Sequence, residues 1–226
     1  MNIIYLLIEF VDELIFGVGE TAWPFFRDDL QLTYTQIGLL LSVPGIIAAF
    51  IEPFIGILGD VWKRRVLIIA GGILFSASLA LTSLSTTFYL LLFSFILFFP
   101  SSGAFVSLSQ ANLMDSDTTR HEQNMARWTF AGSLGVLSGP LLLGLFLYLG
   151  LGWRGTYAAL ASFSTLCLLA ALRYLPPDAV SAPPPSLRVV FDGFRAAFAA
   201  LKRAEVWRWL LLLEFADLMM DVLFSY

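Results

Sequence analysis

Carboxyl groups in apolar surroundings are the residues of this chain best placed to do chemistry. The phrase Leu7-Ile8-Glu9-Phe10-Val11-Asp12 recurs 205 residues later as Leu212-Leu213-Glu214-Phe215-Ala216-Asp217, and both copies lie inside apolar runs. An acid within a membrane helix costs at least about 2.5 to 3.5 kcal/mol on insertion scales, so two matching Glu-x-x-Asp pairs need a reason. Glu13 and Glu20 follow the first pair, and Asp221 follows the second. At about 100° per residue, Glu9, Glu13 and Glu20 fall within about 40° of one another, with Asp12 about 60° to one side; Glu214, Asp217 and Asp221 cluster within about 60°. No Lys, Arg or His falls at comparable depth in the apolar spans. Carboxyl groups so placed take up protons rather than stay charged, and two close together share one, which is the chemistry of a proton relay. A sodium ion or a cationic substrate would satisfy the same stripe. Glu20 and Asp221 approach span ends, where the plainer reading is a side chain facing a water-filled cavity. Glu52, in Phe50-Ile51-Glu52-Pro53, either joins the coupling or lines the cavity beside the bend that Pro53 makes.

The elements that must hold these acids are membrane helices. Of the 226 residues 58% are hydrophobic and only 13% charged, with a mean hydropathy of +0.82, against about 25% charged in soluble domains. The net charge is −4, and seven of the 17 acids (Glu9, Asp12, Glu13, Glu52, Glu214, Asp217 and Asp221) are internal to apolar spans. Nucleic-acid binding has no support, because Lys and Arg fall in short loops without interleaved aromatics. Cys167 is the single cysteine and His121 the single histidine, which leaves no disulfide, no thiolate metal cluster and no second histidine for a catalytic metal. No cofactor and no metal are expected. The first segment lacks the basic n-region and cleavage site of a secretory signal and is expected to be a retained span.

About 20 apolar residues cross about 30 Å of hydrocarbon. On that measure spans are expected over 3–20, 37–58, 66–84, 87–110, 128–149 and 155–174, with a seventh over 207–226. With a cytoplasmic N-terminus the inner loops receive Lys63, Arg64, Arg65, Arg120, Arg127, Arg173, Arg188, Arg195, Lys202, Arg203 and Arg208, and the outer loops receive Arg27 and Arg154. Eleven against two sets the expected orientation, in the plasma membrane. Trp23, Trp62, Trp153, Trp207 and Trp209 fall near span ends, as interfacial anchors do. Pro176-Pro177 and Pro183-Pro184-Pro185 read as an extended hinge, and Leu187 to Arg203 as an amphipathic interfacial helix.

The turn between spans two and three reads Gly56-Ile57-Leu58-Gly59-Asp60-Val61-Trp62-Lys63-Arg64-Arg65. It resembles the G-x-x-x-D-(R/K)-x-G-(R/K)-(R/K) loop of the major facilitator superfamily, matching at Gly56, Asp60, Arg64 and Arg65 and departing at Val61 and Lys63. The resemblance implies that Asp60 contacts a helix of the other half and locks the outward-facing state, while Arg64 and Arg65 hold the loop. In span five, Gly135-x-x-x-Gly139-Pro140-x-x-x-Gly144 is similar to the antiporter motif of helix 5, with Leu143 where the first of two adjacent glycines usually stands. That implies an exporter-like hinge, although a small-residue packing face explains the glycines equally well. Span four departs from the pattern. The arginine that many proton-coupled drug antiporters of the family carry there is missing, and Phe99-Pro100-Ser101-Ser102-Gly103 occupies the segment.

An all-α transmembrane protein of major facilitator fold is therefore expected: a six-helix N-terminal bundle over 1–175, a Pro-rich cytoplasmic linker with the amphipathic helix over 176–205, and over 206–226 the start of a C-terminal half, helix 7, truncated. The duplicated acids then sit on helices related by a parallel repeat, facing a central path. The expected function is secondary active transport of a small solute by alternating access, coupled to H+ or, failing that, Na+, with export favoured by span five. Its partners are the lipid bilayer and the remaining C-terminal half. Uptake symport of a sugar or other metabolite would use the same carboxylates. Two other classes are an intramembrane enzyme, which the repeated placement of the acids argues against, and a non-transporting sensor of the same fold.

Overall fold

The structure is a computed structural model that describes residues 2–176, 192, 193, 195 and 199–225. The hinge from Pro177 through Pro185 and most of the amphipathic segment expected over Leu187 to Arg203 lie outside the described residues, as do the side chains of Asp217 and Asp221. Two compact units divide the chain, residues 1–182 and 183–226.

The first unit is built of α1 (Asn2–Leu30), α2 (Tyr34–Val61), α3 (Arg64–Ser83), α4 (Phe88–Ser102), α5 (Leu108–Asp115), α6 (His121–Tyr148) and α7 (Gly152–Tyr174). One π-helical turn, Gly103–Ser107, joins α4 to α5, so these three make the single fourth span. Spans five and six are α6 and α7. The second unit holds α8 (Ala204–Ser225). Five helices, Tyr34–Val61, Arg64–Ser83, Phe88–Asp115, His121–Tyr148 and Gly152–Tyr174, are long and apolar enough to cross a membrane. At 29 residues α1 has the length as well, and its acids are what separate it from the others in composition.

Several helix ends lie beyond those expected from hydropathy, where polar caps and aromatic packing hold extra residues. A reciprocal capping box starts α2 at Tyr34: Gln36 N–H donates to Thr33 Oγ1 (3.3 Å), and Thr33 N–H donates to Gln36 Oε1 (2.9 Å). Thr87 caps α4 by accepting from Leu90 N–H (3.3 Å). Beyond residue 20, α1 continues through Pro24 to Leu30. Phe26 is wholly buried there, its ring edge-on to Trp153 at 4.8 Å, so tertiary burial extends a helix whose local sequence has turned polar. The tight turn between α6 and α7 uses Gly150 and Gly152 at φ +73° and +63°, a region open to glycine without strain.

Two tryptophans expected at the interface turn inward. Trp153 is buried, packed among Phe26, Tyr157 and the Arg154 guanidinium, which lies 4.3 Å from its ring centre. Trp23 packs on Phe26 and Phe95. Both indoles therefore pack on the bundle through cation–π and aromatic contacts near the expected span ends. Trp207 and Trp209, in the second unit, are exposed.

Candidate functional site

The site is organised by α1, whose Ile4, Ile8, Val11, Ile15, Val18, Ala22 and Phe26 follow one another at three- and four-residue spacing and are all buried. Its closest neighbour is α6. Gly17 of α1 meets the backbone of Val136, and Gly139 of α6 meets the backbone of Gly17 and Val18, at separations that leave no room for a Cβ. Gly135 lies as tightly against Phe10, Glu13 and Leu14. Glycine on both faces lets the two backbones touch, as small residues do between membrane helices. Gly144 has open space around it and takes no part in this seam.

The acids face out of α1 in two directions. Toward α6, a Cβ at Gly132 would stand 2.8 Å from Glu9 Oε1 and 3.2 Å from Glu13 Cγ, so the missing side chain of Gly132 is the space these two occupy. Toward α4, the buried Ser102 hydroxyl donates to Asp12 Oδ1 at 2.8 Å. The roughly 60° offset of Asp12 from Glu9 on an ideal helix is what gives the two acids different neighbours. Glu9 is 7% exposed and Asp12 5%, deep burial for carboxyl groups; Glu13 is half-buried and Glu20 exposed. No Lys, Arg or His pairs with any of the four among the described residues.

Asp12 reaches α4 where that helix departs from regular geometry. Pro100 supplies no N–H to the ladder, Ser101 Oγ bonds back to Phe98 O (2.8 Å), and the π turn follows from Gly103. Such turns loosen the helix and are frequent at functional sites. Next to Ser102, Gly103 lies under Glu52 of α2: a Cβ there would stand 3.0 Å from Glu52 Cγ and 3.2 Å from Oε1. Asp12 and Glu52, 40 positions apart in sequence, thus meet consecutive residues of one bend. Glu52 is exposed on its other side. Among the described residues no group of three or more His, Cys, Asp or Glu could hold a metal ion.

At the α2–α3 turn, Arg64 collects four acceptors. It donates to Gly59 O (3.1 Å), Asp60 Oδ1 (3.2 Å), Asn112 Oδ1 (3.2 Å) and Asp115 Oδ2 (2.6 Å), tying the end of α2 to the end of α5. Arg65 Nη2 donates to Leu172 O of α7 (2.7 Å). Asp60 is well exposed beyond its bond to Arg64. Gly56 has open surroundings, and the close approach belongs to Gly59, which meets the Leu108 side chain. At the opposite end of the bundle Arg154 donates to Asp29 and to Ser85 O (2.8 Å), joining α7, α1 and the α3–α4 turn.

The structure therefore brings Glu9, Asp12 and Glu13 together with Ser102, Gly103, Gly132 and Glu52. Glu214 is exposed on α8 within the second unit. Ser102, Gly132, Asn112 and Asp115 are partners that sequence reasoning missed. Gly132 had a signal, lying three residues before Gly135 in the same glycine series; Ser102 had only its place in the Pro-Ser-Ser-Gly break.

No curated protein sequence matches the chain. Among solved structures it is similar to the human organic anion transporter MFSD10 (TETRAN), at 21% identity and a TM-score of 0.64, a likeness that covers 85% of this chain and 52% of that one. The chain thus spans about half the length of that neighbour, and the likeness is one of fold. The Major Facilitator Superfamily model matches residues 5–226, nearly the whole sequence, and with the helical bundle and the Gly56 to Arg65 turn already described, it establishes that this all-helical membrane chain belongs to the Major Facilitator Superfamily.

Proposed function

We propose that the protein carries out secondary active transport of a small solute by alternating access, that protons drive it, and that this chain is the N-terminal half, the linker and the start of the second half. The observation that carries the reading is the Asp12 to Ser102 hydrogen bond. It places a carboxyl group, with Glu9 and Glu13 beside it, against a helix that proline and a π turn have made deformable. A carboxyl group in such surroundings gains or loses a proton when a change of helix packing opens it to water, so the proton and the conformation are linked. Glu52, against the next residue of the same bend, would report the same movement from α2. Glu214 and Asp217 are the corresponding acids of the second half, Asp60 with Arg64 and Arg65 the gate at the cytoplasmic turn, and the Gly135, Gly139, Pro140 and Gly144 series the fifth-span hinge that favours export. The N-terminus and linker are cytoplasmic, in the plasma membrane. Membership of a transporter family argues against an enzyme, and the substrate charge of the structural neighbour does not carry over at 21% identity.

The test is flux in proteoliposomes holding the full-length protein, with a panel of radiolabelled solutes under an imposed pH gradient and, separately, a sodium gradient. Accumulation against the solute gradient with the pH gradient alone is expected. Flux that responds only to sodium would remove the proton, and no flux under either gradient would favour a non-transporting sensor.

A further inference from the structure

A cavity in the N-terminal bundle lies apart from the cluster of Glu9, Asp12 and Glu13. It has a volume of about 170 Å³ and lies between α1, α2, α3, α4 and α7, walled by the aromatic rings of Phe16, Trp23, Phe95, Phe98, Phe99 and Tyr157. These rings brace one another edge to face: Phe16 on Phe98 at 5.7 Å and on Phe99 at 6.1 Å, Trp23 on Phe95 at 6.0 Å. Glu20 and Leu41 are the exposed members of the lining, so the cavity opens beside them. Glu20 is the one carboxylate in the wall, no Lys, Arg or His joins it, and no cation pairs with it among the described residues.

We infer that this pocket is a binding subsite for a small arylalkylamine, its ring held among the aromatic side chains and its ammonium group at the mouth against Glu20. The charge argument is direct. Aromatic faces attract cations and a carboxylate completes the attraction, whereas a carboxylate ligand would meet Glu20 with no Lys, Arg or His in the lining to offset the repulsion. Size narrows the class: a cavity of about 150 Å³ admits benzene, while drug-sized ligands need about 300 Å³ or more. One ring on a two- or three-carbon chain fits, and a bulky polycyclic cation does not. Glu20 lies two turns of α1 beyond Glu13 on the same stripe, so an amine held there shares a helix with the proton site. The inference rests on the transport reading only for the steps after binding.

The experiment is equilibrium binding of tritiated phenethylammonium to the full-length protein in neutral-lipid nanodiscs at pH 7, competed by phenylacetate and by 3-phenylpropanol. Saturable binding is expected, with the alcohol a weaker competitor and phenylacetate the weakest. Cation–π and ion-pair losses of this kind predict about a tenfold weakening in Glu20→Gln and about fivefold in Trp23→Leu, with Glu20→Asp recovering part of the loss. Thermal unfolding checks that each variant is folded, and Trp23→Leu carries the test should Glu20→Gln fail that check. Phenylacetate competing as well as the unlabelled amine, or folded Glu20→Gln and Trp23→Leu binding as the parent does, overturns the inference. A protein that moves other solutes under a pH gradient yet binds no amine refutes the subsite alone; one that binds the amine and moves nothing refutes the transport reading alone.

Discussion

In the proposed proton coupling, Asp12 and Ser102 are the central pair. The hydroxyl is the single hydrogen-bond donor that Asp12 has among the described residues, and removing a partner from a buried carboxyl group costs about 1.5 to 3 kcal/mol, or roughly tenfold and upward in an equilibrium. Ser102→Ala is therefore expected to lower pH-driven flux about tenfold, with Ser102→Thr retaining most of it because the hydroxyl stays; steady-state flux in proteoliposomes measures both. The acids of α1 were legible in the sequence because carboxyl groups in apolar runs are rare and costly. Their partners were not. Serine is common in membrane helices, and nothing local says that residue 102 will meet residue 12. Gly132 is a parallel case, since its role is an absence of side chain that only the position of Glu9 explains.

At the level of elements, the α1–α6 seam fixes where the acids point. Inserting methylenes between touching backbones costs about 1 to 3 kcal/mol or more, so Gly139→Leu should lower the unfolding temperature of the detergent-solubilised protein by several degrees or abolish its expression. Gly144→Ala, in open space, should be neutral or slightly stabilising, since alanine is the better helix former by about 0.5 to 1 kcal/mol. An equal effect of the two substitutions would mean that the glycine series serves flexibility rather than close packing. Apolar run length located the helices of the first unit but ended the first and fourth spans early, at residues 20 and 110 where the helices reach Leu30 and Asp115. The missing turns are held by Phe26 in the aromatic cluster and by Arg64 on Asn112 and Asp115, which are long-range partners that hydropathy does not encode. Arg64 spans two helix ends, so Asp115→Asn should depress turnover alongside Asp60→Asn while leaving substrate affinity nearly unchanged, read from the kcat and KM of transport. Unchanged kinetics in both variants would reduce the turn to a determinant of topology.

On the scale of the whole molecule, family membership and fold agree with what composition and the Gly56 to Arg65 turn suggested, and the proposed orientation, read from the positive charge, is one that labelling can check. Cysteines introduced as Asp28→Cys and Ser181→Cys in a Cys167→Ser background should react from opposite sides of intact cells, Asp28→Cys from outside. Reaction from the same side would contradict the six-span bundle. The proposed coupling of the two halves rests on the acids, and the most direct measurement is proton movement itself. With full-length protein in proteoliposomes loaded with a pH-sensitive dye, addition of a transported solute should drive a proton flux that Asp12→Asn abolishes while solute exchange persists, because the amide stands in for the protonated acid. A proton flux in Asp12→Asn equal to that of the parent protein would contradict the account, and the Glu-x-x-Asp repeat would then record only how the two halves arose.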